Sequence, residues 1–367
     1  MNEREEQELR VKAEAGNTKA QAELAQLLTA GGRNDEATEW LKKAVDGGDA
    51  RAKWLLAKQF LAQEKTESDH LAPALIISAA EGDAEAAHFM AVVHACGIGV
   101  PRDWSAAFDY LTHSAELGFP LAREELVFLA TGAFDERQKN EPIQKSWKEL
   151  RDAIDLSAWI QVPPLNVVSR DPRIVSVENI ASSEMCEWLI EQAKPDRKAA
   201  SVRITATGEV RQSDSRTNST TSFNPFKMNM ILAVLRLRIS ALTGLSSGME
   251  IMNILHYTVG QRYEPHFDFI AASDADAVRL TKGMQRVLTF LLYLNDDYEG
   301  GETRFPRIPW QHKGRKGDAM FFWNVDRQGK PDQMTLHEGS APTKGEKWVL
   351  SQWIRKEIGK SSAHHRA

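Results

Sequence analysis

A glycine recurs at nearly constant spacing through the first 120 residues. Gly16, Gly48, Gly82 and Gly118 stand 32, 34 and 36 residues apart. Each lies in a related segment: AGNTKAQAELA from Ala15, GGDARAKWLLA from Gly47, EGDAEAAHFMA from Glu81 and LGFPLAREELV from Leu117. Glycine closes a helix in the left-handed conformation, and small alanines let two helices approach closely. The unit is therefore a helix-turn-helix of about 34 residues, the period of tetratricopeptide-like solenoids. This part of the chain folds as stacked helix pairs.

The third unit continues as CGIGVPRDWSAAFDYL from Cys96. Gly97 and Gly99 break one helix. Asp103 is the expected N-cap of the next, whose apolar face is Trp104, Ala107, Phe108 and Leu111. With Val100, Ala115, Glu116 and Gly118, these residues resemble the Sel1-like repeat. The resemblance covers about residues 10–130; the first two units carry TAGGRNDEA and AQEKTESDH where the glycine turn would fall. Two roles stay open for the solenoid: packing support alone, or a concave surface that docks a protein substrate. His88, His94 and His113 lack a carboxylate or cysteine at ligand spacing and are read as core or surface residues.

An amphipathic helix, Ile143–Trp159, is expected to cap the solenoid. The Pro-rich stretch VPPLNVVSRDP then reads as extended. The expected organisation is a helical repeat domain at 1–160, a linker at 161–172 and a second domain at 173–360.

Composition excludes several classes. The chain of 367 residues is 42 % hydrophobic and 26 % charged, as globular proteins are. A net charge of -5 argues against a nucleic-acid partner. No run of about 18 apolar residues and no apolar stretch within MNEREEQELRVKAEAG is present, so neither a membrane span nor a secretory signal is expected. Cys96 and Cys186 are read as thiols of a reducing compartment, and the expected location is cytoplasmic.

The second domain opens with a strand at Arg173–Asn179 and a helix capped by Ser182 or Ser183. RQSDSRTNSTTS (211–222) reads as a polar loop able to act as a lid. A helix is expected from Asn224 to about Thr243. Strands follow at Val287–Asn295, Asp318–Trp323 and Trp348–Ile354, separated by Gly-rich turns, a pattern of sandwiches and jelly rolls.

Within this region NILHYTVGQRYEPHFDFI alternates like a strand and holds His266 and Asp268 two residues apart. On a strand, residues i and i+2 share a face, so imidazole and carboxylate can reach one point. That is two thirds of the 2-His-1-carboxylate triad of non-haem Fe(II) oxygenases. His337 is the candidate for the third ligand, and Lys347 follows it by ten residues.

The runs YTVGQRYEPHFDF, QRVLTFLLYLND, GGETRFP, KGDAMFFW and LHEGSAPTKGEKWVLSQWI make residues 173–355 resemble the prolyl 4-hydroxylase branch of the Fe(II)/2-oxoglutarate dioxygenases. The resemblance implies a double-stranded β-helix (jelly roll) flanked by helices, so that the whole chain is multidomain α plus β, with an N-terminal α-solenoid. It implies His266, Asp268 and His337 as the catalytic metal ligands. Lys347 would pair with the distal carboxylate of 2-oxoglutarate, with Tyr257 and Thr303 in the same pocket. Tyr263, Arg286 and Trp353 match positions that contact substrate or close the pocket. It further implies Fe(II), 2-oxoglutarate, O2 and ascorbate as reductant, with a prolyl residue of a protein or peptide hydroxylated as 2-oxoglutarate gives succinate and CO2. Because Asp268 supplies the carboxylate that related halogenases lack, hydroxylation is the expected outcome. Trp310 and His312, in RIPWQHK, are additions to the family pattern; His312 has no lysine ten residues on, which favours His337 as ligand. IAASDADAVRLTKGM, between Phe269 and Gln285, is a second departure. Hydroxylation of another side chain or a small molecule fits the same triad, and a repeat scaffold with a non-catalytic oxygenase domain is the alternative from a different class.

Overall fold

The computed structural model describes residues 3–62, 71–133, 145–200, 202–203, 210–211, 214–248, 250–271, 278 and 283–357. The chain divides into two compact units: Met1–Asp155 with Asn229–Ala233, and Leu156–Met228 with Val234–Ala367. No helix among the described residues is long and apolar enough to cross a membrane.

The first unit is built of helices α1 (Glu3–Glu14), α2 (Thr18–Ala30), α3 (Asn34–Asp46), α4 (Ala50–Ala62), α5 (Ala72–Ala80), α6 (Ala84–Cys96), α7 (Trp104–Glu116), α8 (Pro120–Thr131) and α9 (Trp147–Asp152). The repeated Gly-Asn/Asp signal explains the turns. Asn17, Asp49 and Asp83 accept from the amides of Ala20, Ala52 and Ala86 at 2.9, 2.7 and 2.8 Å, the N-cap bond that satisfies an otherwise orphaned helix donor. Gly16, Gly48 and Gly118 have φ of 88, 87 and 97°, whereas Gly82 is not left-handed. Alanines 20, 22, 25, 37, 44 and 52 are buried with Leu24, Leu28 and Leu41 in one core cluster. A side chain at Gly47 would collide with Thr18 Cγ2, which is how closely adjacent repeats pack. Asp103 caps α7 through the Ala106 amide. His88 pairs with buried Glu125 at 2.6 Å, His94 stacks on Tyr110, and His113 meets the Glu81 carbonyl.

The second unit opens with α10 (Leu156–Trp159), β1 (Leu165–Arg170), β2 (Arg173–Val177), α11 (Ser183–Ala193), β3 (Lys198–Ala199), β4 (Val202–Arg203), β5 (Val210–Arg211), β6 (Ser219–Phe223) and α12 (Met230–Thr243). There follow β7 (Met252–Tyr257), β8 (Tyr263–His266), β9 (Met284–Tyr293), β10 (Glu299–Gly300), β11 (Thr303–Phe305), β12 (Trp310–His312), β13 (Ala319–Trp323), β14 (His337–Gly339), β15 (Pro342–Lys344) and β16 (Lys347–Glu357). An eight-stranded sheet in the order β1-β2-β13-β9-β16-β7-β6-β3 and a four-stranded sheet, β12-β11-β14-β8, form the double-stranded β-helix. Every pairing is antiparallel. Ile174, Leu291, Tyr293, Phe305, Met320, Phe322 and Val349, from both sheets, make one buried cluster. Both faces of β9 are buried over its last seven residues, which explains its continuous apolar run. Thr221 in β6 donates to the Ala193 carbonyl of α11 (2.7 Å), tying that helix to the large sheet.

Several sequence expectations shift. The linker expected at 161–172 contains β1, paired with β2 through a bulge between Val167 and Ser169; Pro163 and Pro164 precede the strand and Pro172 follows it. The single helix expected at Ile143–Trp159 is two short ones, α9 and α10, with the break at residues 153–155; a capping box of Ser146 and Glu149 starts the first, and residues 143 and 144 lie outside the described residues. The expected lid at 211–222 is in part a sheet strand, because β6 pairs with β7 from Ser219 to Phe223; residues 212 and 213 lie outside the described residues. Helix α12 begins at Met230 and not at Asn224, whose side chain instead closes a turn by accepting from Phe226 and Lys227. Most of the IAASDADAVRLTKGM loop also lies outside the described residues.

Candidate active site

The run expected as one strand is two, β7 and β8, joined by a turn at Gly260. That turn sends Tyr257 into the large sheet and His266 into the small one. β14 pairs with β8 so that His337 lies directly opposite His266. Asp268 follows the end of β8 and reaches the same point. Nε2 of His266 lies 3.6 Å from Asp268 Oδ1, and Nε2 of His337 lies 3.4 Å from Asp268 Oδ2. These three form the one group of metal-ligating side chains found among the described residues, with donor atoms all within 4.8 Å of one another.

Both imidazoles are oriented from behind. Nδ1 of His266 donates to the Glu264 carbonyl at 2.7 Å, and Nδ1 of His337 to the Thr335 carbonyl at 3.0 Å. A carbonyl only accepts, so each ring holds a proton on Nδ1 and turns Nε2 toward the cluster. Burial pushes His266 down to about 3, and the neighbouring His337 adds to this. Burial alone would raise the Asp268 carboxyl, but His337, His266 and a hydrogen bond from Thr289 hold it well below the ordinary range. Two imidazoles and a carboxylate converging in this way form a donor set that fits Fe(II).

The cleft in front of the cluster is lined by alternate residues of the large sheet: Asn253, Leu255 and Tyr257 on β7, and Lys347, Val349, Ser351 and Trp353 on β16. The period-2 geometry of the strands sets this pattern. Register places Lys347 opposite Tyr257. Lys347 is 2 % exposed, donates to the Gly301 carbonyl at 2.7 Å, and forms no ion pair among the described residues. Burial lowers its ammonium to about 7. A buried cation without a counter-ion is costly, and it fits a cleft built to receive an anion. Thr303 faces the same space, its hydroxyl 2.9 Å from Tyr293 Oη.

Of the residues matched to substrate contacts, Tyr263 stacks on His266 with ring centroids 3.5 Å apart, and Trp353 lines the cleft. Arg286 does not line it. Its Nε bonds Glu250 at 2.8 Å, and its guanidinium lies 3.7 Å from the Trp353 ring centroid, so it backs that wall. His312 sits on β12, away from the cluster, in contact with Trp310 and Tyr293. Sequence reasoning passed over Arg216, which lines the cleft with its guanidinium 4.7 Å from the Tyr263 ring centroid, because it fell in the polar loop. It also passed over Thr289, whose hydroxyl donates to Asp268 Oδ2 at 2.7 Å. A lone threonine within the apolar run VLTFLLYLN was the available signal. Of the two cysteines, Cys96 is half-buried and Cys186 is buried, its thiol pushed up to about 12 by burial.

A jelly roll with a 2-His-1-carboxylate cluster facing a buried lysine defines a non-haem iron oxygenase of the 2-oxoglutarate class. The comparisons agree. Residues 252–355 match the model of the 2OG-Fe(II) oxygenase superfamily. The chain is 34% identical over 217 residues to probable prolyl 4-hydroxylase 10 of Arabidopsis thaliana, covering 54% of this chain and 72% of that protein. It is 35% identical over 216 residues to prolyl 4-hydroxylase 5 of the same plant, covering 53% and 71%. Among solved structures it is similar to a viral collagen prolyl hydroxylase of Paramecium Bursaria Chlorella virus-1 (25% identity, 50% of this chain and 95% of that one, TM-score 0.39). It is also similar to a Sel1 repeat protein from Oxalobacter formigenes (28% identity, 33% and 96%, TM-score 0.29). The chain belongs to the prolyl 4-hydroxylase family of 2-oxoglutarate-dependent dioxygenases.

Proposed function

We propose that the protein hydroxylates prolyl residues of a protein or peptide at the 4-position, using Fe(II), 2-oxoglutarate and O2. The observation that carries this is the convergence of His266, Asp268 and His337 in a cleft whose far wall holds the buried Lys347. The three ligands would hold Fe(II) on one face, leaving room for cosubstrate and O2. Bound there, Fe(II) supplies the oxidative chemistry that couples decarboxylation of 2-oxoglutarate, to succinate and CO2, with hydroxylation.

The chain supplies position, charge and dryness. Lys347 binds the distal carboxylate through a charge-assisted hydrogen bond strengthened by burial. Tyr257, buried and held in its neutral phenol form by desolvation, and Thr303 complete that end of the pocket. Leu255, Leu291 and Val349 exclude water between the two ends. Tyr263 and Trp353 present aromatic faces to the substrate, a good match for a proline ring. We further infer that ascorbate serves as reductant, that the helical repeats dock the substrate protein, and that the enzyme works in the cytoplasm.

The test is succinate formation from 2-oxoglutarate by anaerobically iron-loaded protein once O2 is admitted, with and without a Pro-rich peptide pool. Hydroxyproline is read in the recovered peptides by mass spectrometry. Succinate without any hydroxyproline would move the substrate class away from peptidyl proline; no succinate at all would overturn the dioxygenase reading. Omitting ascorbate tests the reductant, and adding excess repeat fragment as a competitor against a protein substrate tests docking.

A further inference from the structure

Asn324 lies just past β13, completely buried, and touches none of the metal-ligating side chains, yet it is joined to two of them. Its Nδ2 donates to Thr289 Oγ1 at 3.0 Å, and Thr289 Oγ1 donates to Asp268 Oδ2 at 2.7 Å. The direction of this chain is fixed. An amide N–H only donates, so the threonine oxygen accepts there and its own proton must go to the carboxylate, which only accepts. The backbone of Asn324 makes the second link. Its carbonyl accepts from the Asp332 amide at 3.0 Å. Asp332 opens the turn in which the Thr335 hydroxyl donates to the Asp332 carbonyl at 2.7 Å, and the Thr335 carbonyl in turn holds Nδ1 of His337. Asn324 itself is anchored by its amide on the Val287 carbonyl, two residues before Thr289 on β9.

The amide is not there for its own satisfaction. Asn324 is 0% exposed, and its Oδ1 has no hydrogen-bond partner among the described residues. A buried orphan acceptor costs stability, and an apolar residue of the same size would avoid that cost. What the amide gains is the bond to Thr289.

The geometry points to Thr289 and Asn324 as positioning residues that hold Asp268 to coordination through a single oxygen. This rests on the dioxygenase reading. Two imidazole nitrogens and one carboxylate oxygen occupy three places of an octahedral ion and leave three, the number that a chelating 2-oxo acid and O2 together require. A carboxylate binding through both oxygens would take a fourth. The Thr289 proton on Oδ2 competes for that second oxygen, and Asn324 keeps the proton pointed there. Neither residue contacts substrate in this scheme; both act through Asp268.

The test titrates the full-length protein anaerobically with Co(II), following the visible d–d absorption, whose intensity reports coordination number, before and after 2-oxoglutarate. Thr289→Val keeps the shape and removes the hydroxyl; Thr289→Ser restores the hydroxyl; Asn324→Asp keeps the shape but offers Thr289 an acceptor, drawing its proton away from Asp268. Thr289→Val and Asn324→Asp are expected to lose about 10–100-fold in metal affinity, the usual consequence of removing an outer hydrogen bond to a ligand, and to give a changed band on adding 2-oxoglutarate. Thr289→Ser is expected to recover the wild-type affinity and band. Wild-type affinity and band in folded Thr289→Val, or in Asn324→Asp should Thr289→Val not fold, would overturn the proposal and leave the enzyme class standing. Loss in Thr289→Ser equal to that in Thr289→Val would show a packing role and overturn it as well. Wild-type protein that binds no Co(II) would overturn the dioxygenase reading, and this proposal with it.

Discussion

His266 and His337 lie opposite one another in register across β8 and β14, their ring centroids 4.3 Å apart. Residues 71 positions apart in sequence are thus brought together by the pairing of two short strands. The small sheet exists, in functional terms, to make this contact. The backbone carbonyls of Glu264 and Thr335 then turn both rings the same way.

Asp268 completes the cluster; it is 5 % exposed, with Oδ2 held by Thr289 and Oδ1 3.6 Å from Nε2 of His266. Asp268→Ala removes one ligand from the metal and one acceptor from Thr289. Succinate release is expected to fall by at least about 10³-fold, in line with losing a group needed for every turnover, with the far-ultraviolet circular dichroism unchanged. Measured succinate near the wild-type rate would show that the carboxylate is not a ligand.

The clustering of His266, Asp268 and His337 was legible because the short spacing of His266 and Asp268 keeps imidazole and carboxylate within reach of one point even though Asp268 lies just past the end of β8, and Lys347 follows His337 by only ten residues although the two stand on strands of different sheets. The repeats were legible for a related reason, since three of the four glycines are followed by a capping side chain, Asn17, Asp49 and Asp83, while Phe119 after Gly118 makes no cap bond. What escaped notice depended on tertiary partners. Ser219–Phe223 reads as a polar loop because serine and threonine dominate it, yet β7 beside it supplies the ladder that makes it a strand. Leu165–Arg170 was obscured by the prolines before it, although Leu165, Asn166 and Val167 pair with Val177, Ser176 and Val175 of β2. Thr289 reads as one more β-branched residue in a buried strand until the fold carries Asp268 to its hydroxyl.

Lys347 sets function against stability. Its ammonium is buried without a carboxylate partner among the described residues, and its depressed value, about 7, means that the folded state disfavours the charge. Lys347→Met keeps the length and removes the charge. The variant is expected to be more stable than wild type by about 1–4 kcal/mol, the range seen when buried ionic groups give way to apolar ones. It is expected to show no saturable 2-oxoglutarate binding. Thermal unfolding and isothermal titration check the two halves; a destabilised variant that still binds 2-oxoglutarate would contradict both.

The same group gives a pH dependence whose sign can be worked out. In the unfolded chain the lysine stays protonated up to its ordinary value; in the folded apo-protein it loses its proton near 7. Between these values the unfolded state binds more protons, so apo-protein stability owed to this group rises with pH from about 7 upward, and the cost of the buried charge is fully present below 7. Cosubstrate binding runs the other way. The distal carboxylate favours the ammonium, so 2-oxoglutarate affinity is expected to weaken as pH rises above about 7, and binding at pH near 8 should take up close to one proton. Titrations in buffers of different ionisation enthalpy measure that uptake directly; a binding heat independent of the buffer at pH near 8 would contradict it.

Gly317 is where the sequence KGDAMFFW meets a backbone requirement that no other residue satisfies. Its φ is 86°, in the left-handed region, and a Cβ there would collide with the Ala181 carbonyl oxygen. The close approach has a purpose. The Gly317 carbonyl accepts from the amides of Ile180, at 2.7 Å, and Ala181, at 3.2 Å, while its own amide donates to the Tyr293 carbonyl at 2.9 Å. One residue thereby fixes the segment leading to α11 against the end of β9. Gly317→Ala must pay backbone strain of about 1–3 kcal/mol and also push Ala181 away, losing hydrogen bonds worth about 1 kcal/mol each. A loss of about 3 kcal/mol or more is expected in urea unfolding, with the metal site weakened only through global unfolding because Gly317 touches none of its ligands. A variant as stable as wild type would mean that the contact with Ala181 relaxes without cost.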